Sequence, residues 1–294
     1  MIVVTAPTGN IGSQVLANIL DSGERIRVIA RDPSKLPPRV LGRIDVVEGS
    51  HSDAVVVAKA FEGADRVFWL VPGDPRAPSA EAAYVDFARP ACEAFKTLGV
   101  KQVVGISALG RGWTKDAGHV TGTLKMDDLI ASTGVSYRAL ACASLMENVL
   151  RQTALIRDQG AFYWPTPGDL KEPACATRDV AAVAARLLLD PSWTGVDSIP
   201  MLGPEDISFD EMMAIISDVI GKPVQYRLIS MDDLKAMMIK RGASEGMAQA
   251  MVNMMTAKNE GMDHLVERTP SSSSDTPTSF RQWCEDILKP AISA

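Results

Sequence analysis

The chain has 294 residues, 46% of them hydrophobic and 22% charged, with a formal net charge of -6 and a sequence pI near 5.2. That length suits one large α/β domain, or one domain with a smaller appendage. The acidic balance, without a basic stripe interleaved with aromatics, excludes a nucleic-acid surface, and no apolar run reaches the roughly 18 uncharged residues of a membrane span.

Met1 leads straight into a strand-like run with no basic leader, so a cytoplasmic protein is expected. Cys92, Cys142, Cys175 and Cys284 are scattered without a C-x-x-C pair and read as buried apolar fillers. His51, His119 and His264 lack metal-ligand spacing, so no metal is expected.

The first thirteen residues, MIVVTAPTGNIGS, read as a buried strand, a glycine turn and the first turn of a helix. Ile2, Val3 and Val4 are β-branched, and Ile11, Val15, Leu16 and Ile19 continue at helical spacing. Gly9 lets the backbone approach a diphosphate without a Cβ, and Gly12 lets the helix pack closely on the strand. The N–H groups of Asn10 and Ile11 then meet an anion at the positive helix end. Ala6 stands where the usual fingerprint has its first glycine, and Pro7 removes one donor.

Strand and helix signals alternate onward, which implies parallel βαβ units. Strands are expected at Ile2 to Thr5, Arg25 to Ala30, Val46 to Glu48, Arg66 to Val71, Gln102 to Ser107 and Ser136 to Leu140, giving a six-stranded core. Helices are expected at about Ile11 to Ser22, Asp53 to Phe61, Ala80 to Leu98, Lys125 to Thr133, Val149 to Arg157 and Arg178 to Leu189. Tyr163 to Pro167 reads as a turn-rich hairpin element. Helices at about Phe209 to Ile220, Met231 to Arg241 and Ser244 to Lys258 form a second, mainly helical region, and Ser271 to Ser274 reads as a flexible turn before a last helix capped by Ser279. Met237, Met238, Met247, Met251, Met254 and Met255 share faces of two of these helices, as a plain core or as a mobile lid over an apolar ligand.

The fold expected is therefore an α/β, Rossmann-type, doubly wound parallel sheet with a smaller, mainly helical C-terminal substrate domain. Residues 1–150, joined by about 175–200, form the dinucleotide-binding part, and residues 151–294 form most of the substrate-binding or lid region. At the end of the second strand, Arg31 stands where a cation takes the 2′-phosphate of NADP(H), and Lys35 adds a second charge. NADPH is thus favoured over NADH.

With these residues in view, the chain resembles the NmrA-like branch of the atypical short-chain dehydrogenase/reductases. The motifs are TAPTGNIG at Thr5 to Gly12, ARDP at Ala30 to Pro33, FEGADRVFWLVP at Phe61 to Pro72, STGVSY at Ser132 to Tyr137, LMEN at Leu145 to Asn148 and RDVA at Arg178 to Ala181. The resemblance implies a Rossmann-type domain holding NADP(H) and a small C-terminal domain closing over a substrate cleft. Carried over by position, Ala6, Thr8, Gly9, Asn10, Ile11 and Gly12 hold the diphosphate, Arg31 the 2′-phosphate, and Leu70, Val71 and Pro72 line the adenosine or nicotinamide ribose side. Ser50 stands where many relatives have an acid near the adenine.

Ordinary short-chain dehydrogenases place a tyrosine four residues before a lysine that holds the ribose and lowers the phenol pKa. Lys125 is present, but Thr121 occupies the tyrosine position, and a threonine hydroxyl is too weak an acid to serve. Lys125 is expected on the nicotinamide ribose, and Ser107, at the carboxyl end of the fifth strand, on a substrate oxygen. Tyr84, Tyr163 and His119 are the other candidate donors.

Without the phenol, acceptors that need no immediate proton are preferred: quinones, enones, imines or iminium ions. The reading is an NADPH-dependent reductase of a small or medium apolar substrate. The alternative is an NADP(H)-binding, redox-sensing regulator without turnover. Partners expected are a small-molecule substrate and a second copy of the chain as a homodimer, with no nucleic acid and no membrane.

Overall fold

The computed structural model describes residues 1–293. Strands β1 (Ile2–Thr5), β2 (Ile26–Ala30), β3 (Asp45–Glu48), β4 (Arg66–Trp69), β5 (Gln102–Ala108) and β6 (Ser136–Cys142) join Val196–Met201 in a seven-stranded sheet. From one edge the order is Val196–Met201, β6, β5, β4, β1, β2, β3. β1 pairs in parallel with both β2 and β4, β2 with β3, and β4 with β5. Sequence order therefore reverses between β1 and β4, the switch point at which α/β sheets bind ligands beyond their carboxyl ends.

The interior strands are continuous β-branched or aromatic runs because both faces are covered; all four residues of β1 and of β4 are buried. Helices α1 (Asn10–Ile19), α2 (Pro38–Leu41), α3 (Ala54–Phe61), α4 (Phe87–Leu98) and α5 (His119–Ala131) alternate with the strands. The seventh strand corrects the expected six. Val196–Met201 begins with three exposed residues and contains Pro200, a pattern that only a sheet edge tolerates. Tyr137 N–H donates to Gly195 O at 2.9 Å beside it.

The expected helix from Ala80 to Leu98 contains a π-helical turn, Ala82–Asp86, before α4. Pro90 lies inside α4 and lacks the N–H that would reach back one turn, and a local change of pitch is the usual accommodation. Gly99, at φ 73, ends the helix in the left-handed region.

The chain divides into two units. The first comprises Met1–Ala108, Gly122–Ala141 and Val180–Ile199; the second comprises Leu109–Thr121, Cys142–Asp179 and Pro200 onward. The first unit's core gathers Val3, Phe61, Val67, Trp69, Phe95 and Ile130. The second unit's core gathers Met146, Phe162, Ile207, Met213, Phe280 and Trp283.

Two features of the second unit differ from the sequence reading. Ala161–Trp164 is no hairpin arm but a strand paired in parallel with Gln225–Leu228, over sixty residues away. Ser271 to Ser274 lies in a helix, Pro270–Asp275, which Thr269 and Ser272 close with a reciprocal cap. Val149 to Arg157 is helical in two pieces, a 3-10 stretch Met146–Gln152 followed by Thr153–Gln159. The helices Phe209–Ile220, Met231–Lys240 and Glu245–Asn259 start on Ser208, Ser230 and Ser244, whose side chains each accept an N–H. Among the methionines singled out, Met247 and Met255 are buried, while Met237, Met238, Met251 and Met254 are half-buried. Among the described residues, no helix is long and apolar enough to cross a membrane, and no group of three or more His, Cys, Asp or Glu is placed to hold a metal.

Candidate functional site

At the carboxyl end of β1 the chain turns sharply. Ala6 has φ 49, the one non-glycine residue in the left-handed region among those described, and Gly9 N–H donates to Ala6 O at 3.0 Å. A Cβ on Gly12 would stand 2.2 Å from Ala6 O, so only glycine allows α1 to start this close to the turn. Gly9 differs: its nearest neighbour would be Ala6 O at 3.4 Å, ordinary contact. No atom of the protein requires a glycine at position 9, and the room it leaves faces outward.

α1 begins without a side-chain cap and without an acidic residue in its first turn. Thr8, Gly9 and Asn10 are exposed, while Ile11 and Gly12 are buried. The positive helix end and its amides are thus left for a group from outside.

At the end of β2, Arg31 is exposed and, among the described residues, no carboxylate lies within ion-pair distance of it, although its charge reaches His51 and Asp74. Asp74 is held by Arg76, whose main-chain N–H lies 2.9 Å away. Asp32, the next residue, is spent locally. Its Oδ1 accepts from Ser34 N at 3.1 Å and Ser34 Oγ at 2.5 Å, and Lys35 Nζ lies 3.6 Å from Oδ2. The Ser34 hydroxyl is the main reason this carboxyl is held below the usual range. A carboxylate capping its own loop is a poor ligand for a ribose diol, whereas the Arg31 guanidinium is the kind of fork that could hold a phosphate. Lys35 shares its charge with Asp32.

Leu70, Val71 and Pro72 follow β4 and are stitched to the cradle. Thr5 Oγ1 donates to Phe68 O at 3.0 Å and accepts from Leu70 N at 2.9 Å. His51 Nε2 lies 2.9 Å from Leu70 O; a carbonyl can only accept, so Nε2 carries the proton. Burial pushes the His51 pKa down to about 4, and the ring sits edge-on to Trp69 and Phe87. Ser50, before it, bonds Ser52 through their hydroxyls at 2.8 Å.

Ser107, near the end of β5, is buried and donates to Asp127 Oδ2 on α5, whose Oδ1 accepts from Tyr137 Oη at 2.5 Å. A Cβ on Gly105 would stand 2.4 Å from Tyr137 Oη, so Gly105 makes the space for this phenol. Ser107 therefore has its proton committed inside the first unit and only lone pairs to offer. Lys125, also on α5, is exposed and paired with Glu81 at 2.7 Å.

The other hydroxyls and rings are engaged as well. Thr121 Oγ1 accepts from Ala117 N at 2.8 Å. The Tyr84 phenol bonds Thr123 and faces Gly73, where a Cβ would stand 3.2 Å away; burial raises its pKa. Tyr163 lies in the strand Ala161–Trp164 with its main chain bonded to Gln152. His119 bonds the Met247 carbonyl and is pushed down by burial.

Because β1, β2, β4 and β5 run in parallel, the structure brings Ala6 to Gly12, Arg31, Leu70 to Pro72 and Ser107 to one edge of one sheet. Sequence reasoning missed the Ser107–Asp127–Tyr137 network and the His51 strut. It also missed that the Cys142 and Cys175 thiols, 33 residues apart, hydrogen-bond each other. The polar D-x-x-x-x-x-x-x-x-x-Y spacing of Asp127 and Tyr137 carries no signal of its own.

An uncapped helix end, a glycine with open space before it and an unpaired arginine, at the switch point of a parallel sheet, define a Rossmann-type dinucleotide-binding protein. A family model described as NAD(P)H-binding matches residues 7–191, and the chain belongs to that family. An NAD(P)H azoreductase of Xenophilus azovorans is 28% identical over 251 residues, 85% of each chain. A (4-alkanoyl-5-oxo-2,5-dihydrofuran-3-yl)methyl phosphate reductase of Streptomyces griseus is 27% identical over 288 residues, 96% of each. The NADPH complex of an Escherichia coli NADPH-dependent quinone oxidoreductase superposes with a TM-score of 0.79 at 22% identity, covering 100% of this chain and 99% of that one.

Proposed function

We propose that the protein is an NADPH-dependent reductase that delivers hydride to a small or medium apolar, electron-poor acceptor, a quinone, an enone or an imine/iminium. The observation that carries the coenzyme choice is Arg31, unpaired beside the cradle while Asp32 is tied to its own loop. The two relatives are named as reductases, and the structural neighbour as an oxidoreductase of quinones.

In this reading the turn from Ala6 to Gly12 holds the diphosphate, Arg31 grips the 2′-phosphate, Lys125 exchanges Glu81 for the nicotinamide ribose, and Leu70 to Pro72 line the ribose side. The second unit, with its half-buried methionines, serves substrate binding. When bound, the reduced nicotinamide supplies a hydride. The protein orients the acceptor and excludes water, which is worth several kcal/mol of barrier without acid–base help. Thr121 cannot give a proton near neutral pH, the Tyr84 phenol is raised rather than lowered, and the Ser107 proton is held by Asp127. An alkoxide product is therefore disfavoured. An iminium needs no proton at all, and the stabilised anion of a quinone or enone takes one from water.

The test is NADPH oxidation, followed by absorbance, against a panel of quinones, enones and cyclic imines, with simple ketones as the contrast. Turnover with the first three groups and none with ketones is expected. A flat panel despite tight NADPH binding would replace this reading by the redox-sensing one.

A further inference from the structure

At the amino-end edge of the sheet, opposite the cradle, the first unit holds a cavity of about 480 Å³, a volume in the range of small-molecule sites. Its floor is laid by the first residues of three neighbouring strands: Arg66 opens β4, Gln102 opens β5 and Ser136 opens β6. Arg66 and Gln102 are register partners in a parallel pair, so their side chains leave the sheet on the same face.

Both side chains are deeply set and neither is fully engaged; Arg66 is 8% exposed and Gln102 4%. Gln102 Nε2 donates to Trp193 O at 2.8 Å and to Asp190 O at 3.4 Å, which fixes which end of the amide is the nitrogen. Among the described residues its Oε1 accepts nothing, yet that oxygen is not sealed from solvent, and it opens into the cavity that Gln102 lines. Arg66 donates through Nη1 to Leu188 O at 2.6 Å and through Nη2 to Glu24 at 2.7 Å, while its Nε–H has no acceptor among the described residues and is likewise unsealed. A donor and an acceptor thus stand side by side on the floor. The half-buried Ser136 adds a hydroxyl without a partner among the described residues.

The charges around the cavity are already matched. Asp65 takes the N-terminal ammonium at 2.8 Å and Lys101 at 2.7 Å, and Glu24 takes Arg66. The cation in excess, Lys101, is 73% exposed and screened by water. An ion entering here would meet no desolvated counter-charge, so the floor suits a neutral group. Trp193 stands at the wall, half-buried, with Arg138 Cζ 4.6 Å from its ring centroid and its Nε1 donating to Leu187 O. The Arg138 guanidinium also holds Thr194 O and Gly195 O, so the wall is set before any ligand arrives. A fixed aromatic ring is a stacking surface for a flat molecule.

We propose that this cavity binds a neutral, flat heterocycle carrying an N–H beside a C=O, the cyclic amide edge of a nucleobase. Gln102 Oε1 accepts from the N–H, Arg66 Nε–H donates to the carbonyl, and the ring lies against Trp193. A ligand with acceptors alone leaves the buried Gln102 oxygen unmatched, and one with donors alone leaves Arg66 so; the two strand starts therefore select the paired edge.

Uridine and inosine are titrated by calorimetry into the full-length protein, with 3-methyluridine and 1-methylinosine, in which a methyl replaces the N–H, as contrasts, each with and without saturating NADPH. Saturable one-to-one binding of at least one parent nucleoside, unmoved by NADPH and at least about tenfold weaker for its methyl derivative, is expected. Gln102→Leu removes the acceptor and should abolish binding, but it also removes the anchors to Asp190 and Trp193. Ser136→Val places a strand-favouring residue at the start of β6 and adds a methyl to the floor, so it should keep the melting temperature and weaken binding about tenfold. No saturable heat with either nucleoside would mean that water alone satisfies Gln102 and Arg66, and overturns the proposal. So does equal binding of the methyl derivatives, binding indifferent to Ser136→Val, or binding that NADPH displaces, which belongs to the cradle. NADPH affinity is measured in the same series, and its absence would remove the coenzyme reading while leaving this site to stand or fall on its own.

Discussion

The carboxyl ends of β1 and β5 lie on the same sheet edge and treat their polar groups in opposite ways. At β1 the amides of α1 stand uncapped, Gly9 leaves open room, and Arg31, after β2, pairs with no carboxylate among the described residues. At β5 the polar side chains meet one another: Ser107 and Tyr137 both donate to Asp127, and all three are buried. Exposed groups without partners mark where an outside molecule is received; buried groups with partners hold the frame that receives it. Changes at β1 should therefore cost binding, and changes at β5 should cost stability.

The largest effect is expected from Gly12→Ala. Its Cβ would stand 2.2 Å from Ala6 O, and the backbone must open to admit it, so dinucleotide affinity should fall by at least about 100-fold, at the top of the range for overpacking. Fluorescence titration with NADPH measures it, and unchanged affinity would break the contrast. Next comes a pH effect at the His51 strut. Its folded pKa of about 4 lies below the 6.5 of an ordinary histidine, so the unfolded chain binds more protons between those limits and stability falls as pH drops through that window. The loss should approach about 3 kcal/mol by pH 4, at about 1.4 kcal/mol per unit. Urea melts of the wild type and His51→Phe at pH 7 and pH 4.5 read it out, with the smaller pH dependence in the variant. Asp65, held down to about 2 by Lys101 and the N-terminal ammonium, acts at still lower pH and does not confuse the measurement.

Asp127→Asn keeps the shape but trades two charge-assisted bonds for weaker ones, and should cost about 2 kcal/mol of stability with NADPH affinity within twofold of wild type. Arg31→Ala should do the reverse: a tenfold to thirtyfold loss of NADPH affinity, about 1.5–2 kcal/mol, with NADH and the melting temperature barely moved. Equal losses for the two coenzymes would remove the phosphate contact. Smallest of all, Glu81→Gln breaks an exposed pair and should change stability by no more than about 0.5 kcal/mol. A rise in NADPH affinity in that variant would support a Lys125 that must leave Glu81 to reach the ribose.

The β1 side was legible because its signals are local. Ile2 to Thr5, Gly9, Gly12 and Arg31 fall within thirty residues, and the glycine spacing and β-branched run each carry their own physics. The β5 side was not, because Ser107, Asp127 and Tyr137 meet only after α5 and β6 have folded against β5. The same holds for the parallel partnership of Ala161–Trp164 with Gln225–Leu228 and for the paired thiols of Cys142 and Cys175. Val196–Met201 escaped notice for a different reason: an edge strand with three exposed residues and a proline has no alternation to read. Helix caps, by contrast, were readable wherever the serine preceded an apolar run, as at Ser279, and missed at Thr269, where four consecutive serines mimic a linker.

The return of residues 180–199 to the first unit has a bearing on biosynthesis. Arg66 is secured by Leu188 O at 2.6 Å, Gln102 by Trp193 O at 2.8 Å, and β6 is bordered by a strand that starts at Val196. A nascent chain halted between residues 142 and 196 has all six earlier strands but no seventh, and β6 is left as a bare margin open to another polypeptide. The first unit thus cannot finish folding on the ribosome until about two thirds of the message has been read, and a fragment cut near residue 150 would be expected to self-associate where one that keeps the seventh strand would not.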